Sequence, residues 1–317
     1  MKILANDGIH PAGKQLLEDA GHTVITDKVD QADLASYLKD EQVSALLVRS
    51  ATKVNKAELD SWDGLKVIGR AGVGIDNIDS GYAKEIGIAV VNTPAASSQS
   101  VAELALAKML TISRFLQDSN RKMPATGSTE FGALKKSYAK GAELQGATLG
   151  VIGFGRIGQC LAKMALGMGM KVVAHDPFVE SVDLHLDIAG TSGVDVNIKS
   201  STFEEVLAQS DFLSLHVPKP KEGSLIGQAE FAKMKDGAVI VNCARGGVIN
   251  ENDLIAALDS GKLMGAGLDV FENEPTPDAR LLHHSKISLT PHIGASTNAA
   301  QNRIGTELAE KVMANLG

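Results

Sequence analysis

The chain has 317 residues, a formal net charge of −7, 44% hydrophobic and 4% aromatic residues, and two cysteines. That length suits about two domains with ample core, while the negative balance argues against bulk nucleic-acid binding and the scarce aromatics leave few platforms for stacking bases. Nothing in the sequence approaches a transmembrane run, MKILANDG reads as a first strand rather than a signal peptide, and Cys160 and Cys243 have no metal-ligand spacing, so a cytoplasmic protein with no metal and no membrane partner is expected.

Residues 1–96 alternate strand-like stretches (2–5, 23–26, 45–49, 66–69, 89–92) with helix-like ones (11–20, 31–39, 55–62, 78–86). This spacing predicts a parallel sheet flanked by helices, a complete small α/β domain. Ligands sit beyond the carboxyl ends of such strands. Two ends stand out, RSATK after 45–48 and RAGVGIDNID after 66–69. Arg49, Lys53 and Arg70 would gather positive charge at one rim, and Gly72, Val73 and Gly74 could offer backbone N–H groups to an anion. The alternative is a set of solvated loop charges.

NTPAASSQSVAEL, 92–104, is a Pro- and Ser-rich crossing that suits a hinge; a helix to about Phe115 follows, with Ser98 or Ser100 as its cap. Residues 118–141 are polar and basic, carry Lys135, Lys136 and Lys140, and lack a clear period. They read as an arm toward a partner subunit or as a surface loop.

At 146–176 the chain runs GATLGVIGFGRIGQCLAKMALGMGMKVVAHD. An apolar strand, 148–152, leads into Gly153, Gly155 and Gly158 in a GxGxxG pattern. The first glycine allows a tight turn, the second lets backbone approach a pyrophosphate, and the third lets helix pack on strand. The helix they open aims its free N–H groups and positive dipole end at that anion. Asp176, 23 positions after Gly153, closes the next strand, where a carboxylate can bind a ribose 2′-OH and would repel a 2′-phosphate. The cofactor reading is therefore NAD rather than NADP.

Beyond the clasp, 178–200 is long and turn-rich, and helices over 202–208, 228–234 and 252–260 alternate with strands over 211–216, 238–242, 265–269 and 286–290. These strands complete a second parallel sheet. A last helix, 298–315, spaces Ile304, Leu308 and Val312 to pack on the first domain. Three polar residues stand just past strand ends: Arg245 in NCARGG, Glu274 in LDVFENEP and His292 in TPHIGAS. Each alone could be an ordinary loop residue. Together they supply a bidentate guanidinium for a carboxylate and a histidine tuned by a carboxylate for proton transfer.

With VRSATKV, GRAGVGIDNID, VNTP, GFGRIG, NCARGGVIN, LDVFENEP and TPHIGAST in this order, the sequence resembles the D-isomer-specific 2-hydroxyacid dehydrogenase family, and within it the D-3-phosphoglycerate dehydrogenase branch. The resemblance implies two doubly wound α/β domains: a flavodoxin-like substrate domain, 1–96 with 293–317, and an NAD-binding Rossmann domain, 97–292, inserted into it. Domain closure over a cleft would exclude water.

By the same resemblance Arg245 holds the substrate carboxylate, Glu274 raises the pKa of the histidine, and His292 exchanges the hydroxyl proton. Arg156 and Ile157 touch the pyrophosphate and Val217 and Pro218 line the adenosine side. Cys243, Ala244, Asp269, Gly294 and Ala295 surround the nicotinamide, Asp269 facing its carboxamide. Arg49, Ser50, Arg70, Val73 and Gly74 bind the substrate, with Lys135 or Lys136 adding charge from a neighbouring subunit. The implied reaction is NAD-dependent oxidation of D-3-phosphoglycerate to 3-phosphohydroxypyruvate, the entry to phosphorylated serine biosynthesis, by a homodimer that takes no nucleic acid. The ending at Gly317 implies a short form without a serine-binding regulatory domain. Two other readings stand: a glyoxylate, hydroxypyruvate or D-lactate type reductase, and an NAD-sensing corepressor-like binding protein.

Overall fold

In the computed structural model, which describes residues 1–316, the chain from Met1 to Ser100 and from Ala295 onward forms one unit, and Val101 to Gly294 forms another. Gly317, the last residue of the expected first domain, lies outside the described residues. The divisions fall at 100/101 and 294/295, against 96/97 and 292/293 from the sequence. The reason is burial at the crossing: Ser97, Ser98 and Ser100 are buried, and the Ser100 and Thr297 hydroxyls bond at 2.8 Å. The Ser98 hydroxyl, expected as a helix cap, donates back to the Pro94 carbonyl at 3.5 Å.

The first unit runs β1 (Lys2–Ala5), α1 (Pro11–Asp19), β2 (Thr23–Ile25), α2 (Leu34–Asp40), β3 (Val43–Val48), α3 (Lys56–Leu59), β4 (Val67–Arg70), α4 (Ser80–Glu85) and β5 (Ala89–Asn92). All pairs are parallel, in the order β2-β1-β3-β4-β5, the flavodoxin-like arrangement. Helices cover both faces, so β3 (VSALLV) is an almost unbroken apolar run rather than an alternating one. One face packs Leu4, Leu46 and Ile68 on Leu34, Leu38 and Leu59. The other packs Ile3, Ala45 and Val67 on Leu308, Ala309 and Val312 of the final helix, as the spacing of its apolar residues requires. That helix crosses α1 at glycines, where a methyl on Gly13 would run into the Gly305 backbone.

The second unit holds α5 (Ser98–Ser113, from Val101), α6 (Leu116–Ser137), β6 (Thr148–Ile152), α7 (Arg156–Gly167), β7 (Lys171–His175), β8 (Ser181–Leu186), β9 (Val194–Lys199), α8 (Phe203–Gln209), β10 (Phe212–Leu215), α9 (Gln228–Lys233), β11 (Ala238–Asn242), α10 (Glu251–Asp259), β12 (Leu263–Leu268), α11 (Ala279–Leu282) and β13 (Ile287–Leu289). The helix returning to the first unit is α12 (Asn298–Leu316). The main sheet is parallel, ordered β13-β12-β11-β10-β6-β7. A parallel bridge from Ala174 to Ser200 places a vestigial strand beyond β7. Counting it, the order is 3-2-1-4-5-6-7, which is the 3-2-1-4-5-6 of dinucleotide-binding folds with β13 added beyond β12.

Two stretches differ from the sequence expectation. Residues 116–137 form α6, not an aperiodic loop; the helix is kinked at Glu130, whose φ is −119°, and contains Pro124. It is fastened at its ends, where Tyr138 Oη donates to Asp118 at 2.9 Å and the Tyr138 ring stacks on Phe115. Within 178–200 the turn-rich reading gives way to an antiparallel hairpin of β8 on β9. Its apolar side, Val182, Leu184, Leu186 and Ile198, packs on the core around β6 and α7, which is what makes the pairing stable. Among the described residues, no helix is long and apolar enough to cross a membrane.

Candidate active site

β6 delivers the chain into Gly153, whose φ of 90° favours glycine. A Cβ there would also collide with the His216 carbonyl just past β10, and one at Gly158 would collide with the Gly153 carbonyl. Both glycines thus bring backbone against backbone. Gly155 differs: it is the N-cap of α7 at φ −75°, and its missing Cβ would enter open space. That gap, facing the free N–H groups at Arg156 and Ile157, suits a pyrophosphate.

Asp176 follows β7. Its Oδ2 accepts from Phe154 N–H at 2.8 Å and its Oδ1 from Phe178 N–H at 3.0 Å, which holds the carboxylate at the rim of the glycine loop. Val217 packs against Gly153, and Pro218 lies exposed beside it. This cradle, with an anion at its rim in place of a cation, fits NAD.

The carboxyl ends of β11, β12 and β13 carry the chemistry. Asn242 ends β11, and its side chain shapes the following turn: Oδ1 accepts from Ala244 N–H at 3.0 Å, and Nδ2 donates to the Arg245 carbonyl at 2.9 Å. Gly246 then abuts the Phe271 backbone, locking the loop of Arg245 against the loop of Glu274. The Arg245 guanidinium donates to the Ala244 carbonyl at 2.7 Å and is only partly buried. Cys243 is buried, and that burial, aided by the nearby Asp269 charge, pushes its thiol up to about 12. It stays protonated at neutral pH and is no nucleophile.

His292 Nδ1 and Glu274 Oε2 are 2.8 Å apart, and Glu274 Oε1 accepts from Phe271 N–H at 2.9 Å. Partial burial works to raise the Glu274 carboxyl. The hydrogen bonds from His292 and Phe271, with the charges of His292 and Arg245, outweigh it and hold the carboxyl below its ordinary range. A carboxylate on Nδ1 fixes the proton there and leaves Nε2 as the acceptor. His292 has φ 53°, a conformation that costs a side-chain-bearing residue roughly 1–3 kcal/mol. It is held by the His292 N–H, which reaches the Asp269 carbonyl at 2.8 Å and the Thr290 carbonyl at 3.1 Å. A cavity of about 410 Å³, lined by Phe271, Pro275, Leu282, Leu289 and Pro291, flanks the pair.

Asp269 is 1% exposed. Its Oδ1 accepts from Thr290 Oγ1 at 2.6 Å and Ile293 N–H at 2.9 Å, and its Oδ2 from Gly294 N–H at 2.8 Å. The residue expected to face a carboxamide is thus engaged in holding the histidine loop. Ala295 falls in the first unit, its carbonyl accepting from Gln301 at 2.8 Å.

The expected substrate-binding residues lie in the first unit. Arg70 ends β4 in register with Val48, so Arg49 and Arg70 leave adjacent strand ends. The Arg49 loop is tied down by Asp7, which accepts from Arg49 N–H at 2.7 Å and from Thr52 N–H and Oγ1 at 3.1 and 2.8 Å. Asn77 Nδ2 donates to the Arg49 carbonyl at 2.8 Å. The Arg70 guanidinium crosses Gly72, where a Cβ would occupy its place. Ser50 and Val73 are exposed and Gly74 partly so.

Sequence reasoning missed Asp7, Asn242, Thr290 and Lys108. Asn242 and Thr290 carried a legible signal, a polar residue in the last or next position of an apolar strand, and Asp7 stands two positions past the end of β1. The fourth is a lone lysine inside the apolar helical run ELALAKML.

The family model described as the NAD binding domain of D-isomer specific 2-hydroxyacid dehydrogenases matches residues 106–294. A hydroxypyruvate reductase of Thermotoga maritima is 44% identical over 320 residues, covering 100% of this chain and 98% of its own. A D-3-phosphoglycerate dehydrogenase of Methanocaldococcus jannaschii is 43% identical over 313 residues, covering 98% of this chain and 57% of its own. The chain spans about half the length of the curated phosphoglycerate dehydrogenases it matches. The crystal structure of a glyoxylate reductase from Paecilomyes thermophila superposes with a TM-score of 0.82 at 30% identity, covering 99% of this chain and 94% of that one. With its glycine cradle, its Arg–Glu–His cluster and these likenesses, the chain belongs to the D-isomer-specific 2-hydroxyacid dehydrogenase family, and its second unit is that family's NAD-binding domain.

Proposed function

We propose that the protein is an NAD-dependent 2-hydroxyacid dehydrogenase whose substrate is D-3-phosphoglycerate, oxidised to 3-phosphohydroxypyruvate. The observation that carries the reaction class is the 2.8 Å bond from His292 to Glu274 with Arg245 beside it, past the strand ends of the sheet that holds the glycine cradle. NAD, held by the glycine loop 153–158 and Asp176, would supply the acceptor for the hydride of C2. The Arg245 guanidinium takes the substrate carboxylate and polarises the C2 oxygen. His292 Nε2 accepts the hydroxyl proton, and the Glu274 carboxylate stabilises the imidazolium as charge builds. In the reverse direction the same Nε2 returns the proton.

The phosphate is the finer part of the reading, and it rests on Arg49 and Arg70 leaving adjacent strand ends, with Lys53 on the same exposed loop as Arg49. Steady-state rates with NAD on 3-phosphoglycerate, D-glycerate and D-lactate test it. A higher kcat/KM for 3-phosphoglycerate is expected; faster oxidation of either unphosphorylated acid would sink the phosphate claim. The second reading is reduction of hydroxypyruvate, favoured by the 44% identity to a reductase so named along nearly its whole length. Turnover of hydroxypyruvate with NADH at a kcat/KM above that of 3-phosphohydroxypyruvate would select it.

A further inference from the structure

α5 lies along β12 as if fitted to it. A Cβ at Gly265 would stand 2.5 Å from Ile112 Cγ2, and one at Gly267 would stand 2.8 Å from Lys108 Cβ, so each glycine makes room for a helix side chain one turn apart. Lys108 is 2% exposed among Ala105, Met109 and Ile112. An apolar side chain would fill that place without taking an ammonium out of water, a transfer that is expensive unless the charge is well met. The ammonium is met by backbone: Nζ donates to the Leu268 carbonyl at 3.0 Å and the Ser288 carbonyl at 3.2 Å. The Leu268 carbonyl also accepts from Thr290 N–H at 3.0 Å.

We infer that Lys108 is a positioning residue for His292: its ammonium clamps the carboxyl ends of β12 and β13 together directly ahead of Asp269 and the Thr290–His292 turn. Asp269 follows Leu268, receives Thr290, Ile293 and Gly294 on its carboxylate, and takes the His292 N–H on its carbonyl. The turn that holds His292 at a positive φ thus hangs from the two strand ends that Lys108 joins. Burial draws the Lys108 pKa down, and the nearby Asp269 charge opposes that; the Asp269 carboxylate is the anion that matches the ammonium across the strand end. The inference rests on His292 being the proton acceptor proposed above.

The test uses the full chain and NADH with whichever of hydroxypyruvate and 3-phosphohydroxypyruvate turns over faster. In Lys108→Met the kcat should fall at least tenfold, NADH affinity by fluorescence should stay within twofold, and the deuterium isotope effect from labelled NADH should rise as the chemical step slows. Gly267→Ala, which presses on Lys108 from the strand and leaves the charge in place, should show the same split and decides the matter if the methionine variant does not fold. A folded Lys108→Met with kcat within twofold of wild type overturns the inference, however far its Tm drops. So does a parallel loss of kcat and NADH affinity with an unaltered isotope effect, which marks general loosening. If the wild type turns over neither 2-oxo acid, the proposed function fails first, and the inference with it.

Discussion

The Glu274 carboxylate reaches His292 Nδ1 at 2.8 Å across 18 residues of chain, and its other oxygen is held by the Phe271 amide. The carboxylate is therefore oriented by backbone and the imidazole by the carboxylate. Replacing His292 by Ala removes the proton acceptor and leaves the glycine cradle untouched. The kcat should drop by about 10² to 10⁴ with NADH binding nearly unchanged. Turnover surviving within about tenfold, well short of that range, would remove His292 from the mechanism.

The depressed Glu274 pKa also links stability to pH. A carboxyl lowered in the folded state from its ordinary 4.5 stabilises fully above that value and loses the contribution as pH falls through the folded one. Urea unfolding of wild type and Glu274→Gln should therefore show a gap at pH 6 that closes below 4.5. The side chains are 35% and 40% exposed, so solvent screening keeps the gap small. A gap that persists undiminished in acid would mean that the charge of Glu274 contributes nothing to it.

Asp7 is the anchor of the Arg49 loop. Its side chain is 4% exposed and bonded to Lys28 at 2.9 Å. Burial pushes its pKa up, but the bonds from Lys28, Arg49 N–H and Thr52 prevail and hold it low. Asp7→Asn should cost roughly 2 kcal/mol of stability. With the loop loosened, the KM for 3-phosphoglycerate should rise about tenfold while the KM for NAD stays put. An unchanged KM for the phosphorylated acid would detach Arg49 from substrate binding.

Two glycines of the clasp, Gly153 and Gly155, should fail in different ways. Gly153→Ala meets both a positive φ and the His216 carbonyl, so its Tm should fall along with NADH affinity. Gly155→Val has an allowed φ and an open space for its side chain. It should fold with a Tm near wild type and still lose NADH, because the side chain stands where the pyrophosphate approaches. A Gly155 variant that binds NADH normally would place the cofactor elsewhere.

Much of the fold could be read before any coordinates. The bounds of β1, β5 and β11 match residue for residue, since each is a short, mostly apolar run with an Asn at or just past its end. The hairpin of β8 and β9 was also visible in principle: Val182, Leu184 and Leu186 alternate with polar residues, and only the surrounding turn residues masked the period. α6 had no such signal. Pro124, Gly127 and Gly132 interrupt its pattern, Leu134 is its one buried residue, and it holds through the fastening of Tyr138 to Asp118 and Phe115.

Local chemistry along the chain determined where glycines, an acid and a last polar residue stand relative to each strand. In a parallel sheet that is enough to name the edge where a site lies, so Gly153, Asp176, Arg245, Glu274 and His292 could be picked out one by one. Tertiary structure alone decided what holds them. Lys108 reaches carbonyls of residues 160 and 180 positions away, and Asp269 serves the loop of His292 rather than standing free. Such partners are set by which strand ends and helices come together in space, and periodicity in one segment carries no record of what the next layer places against it.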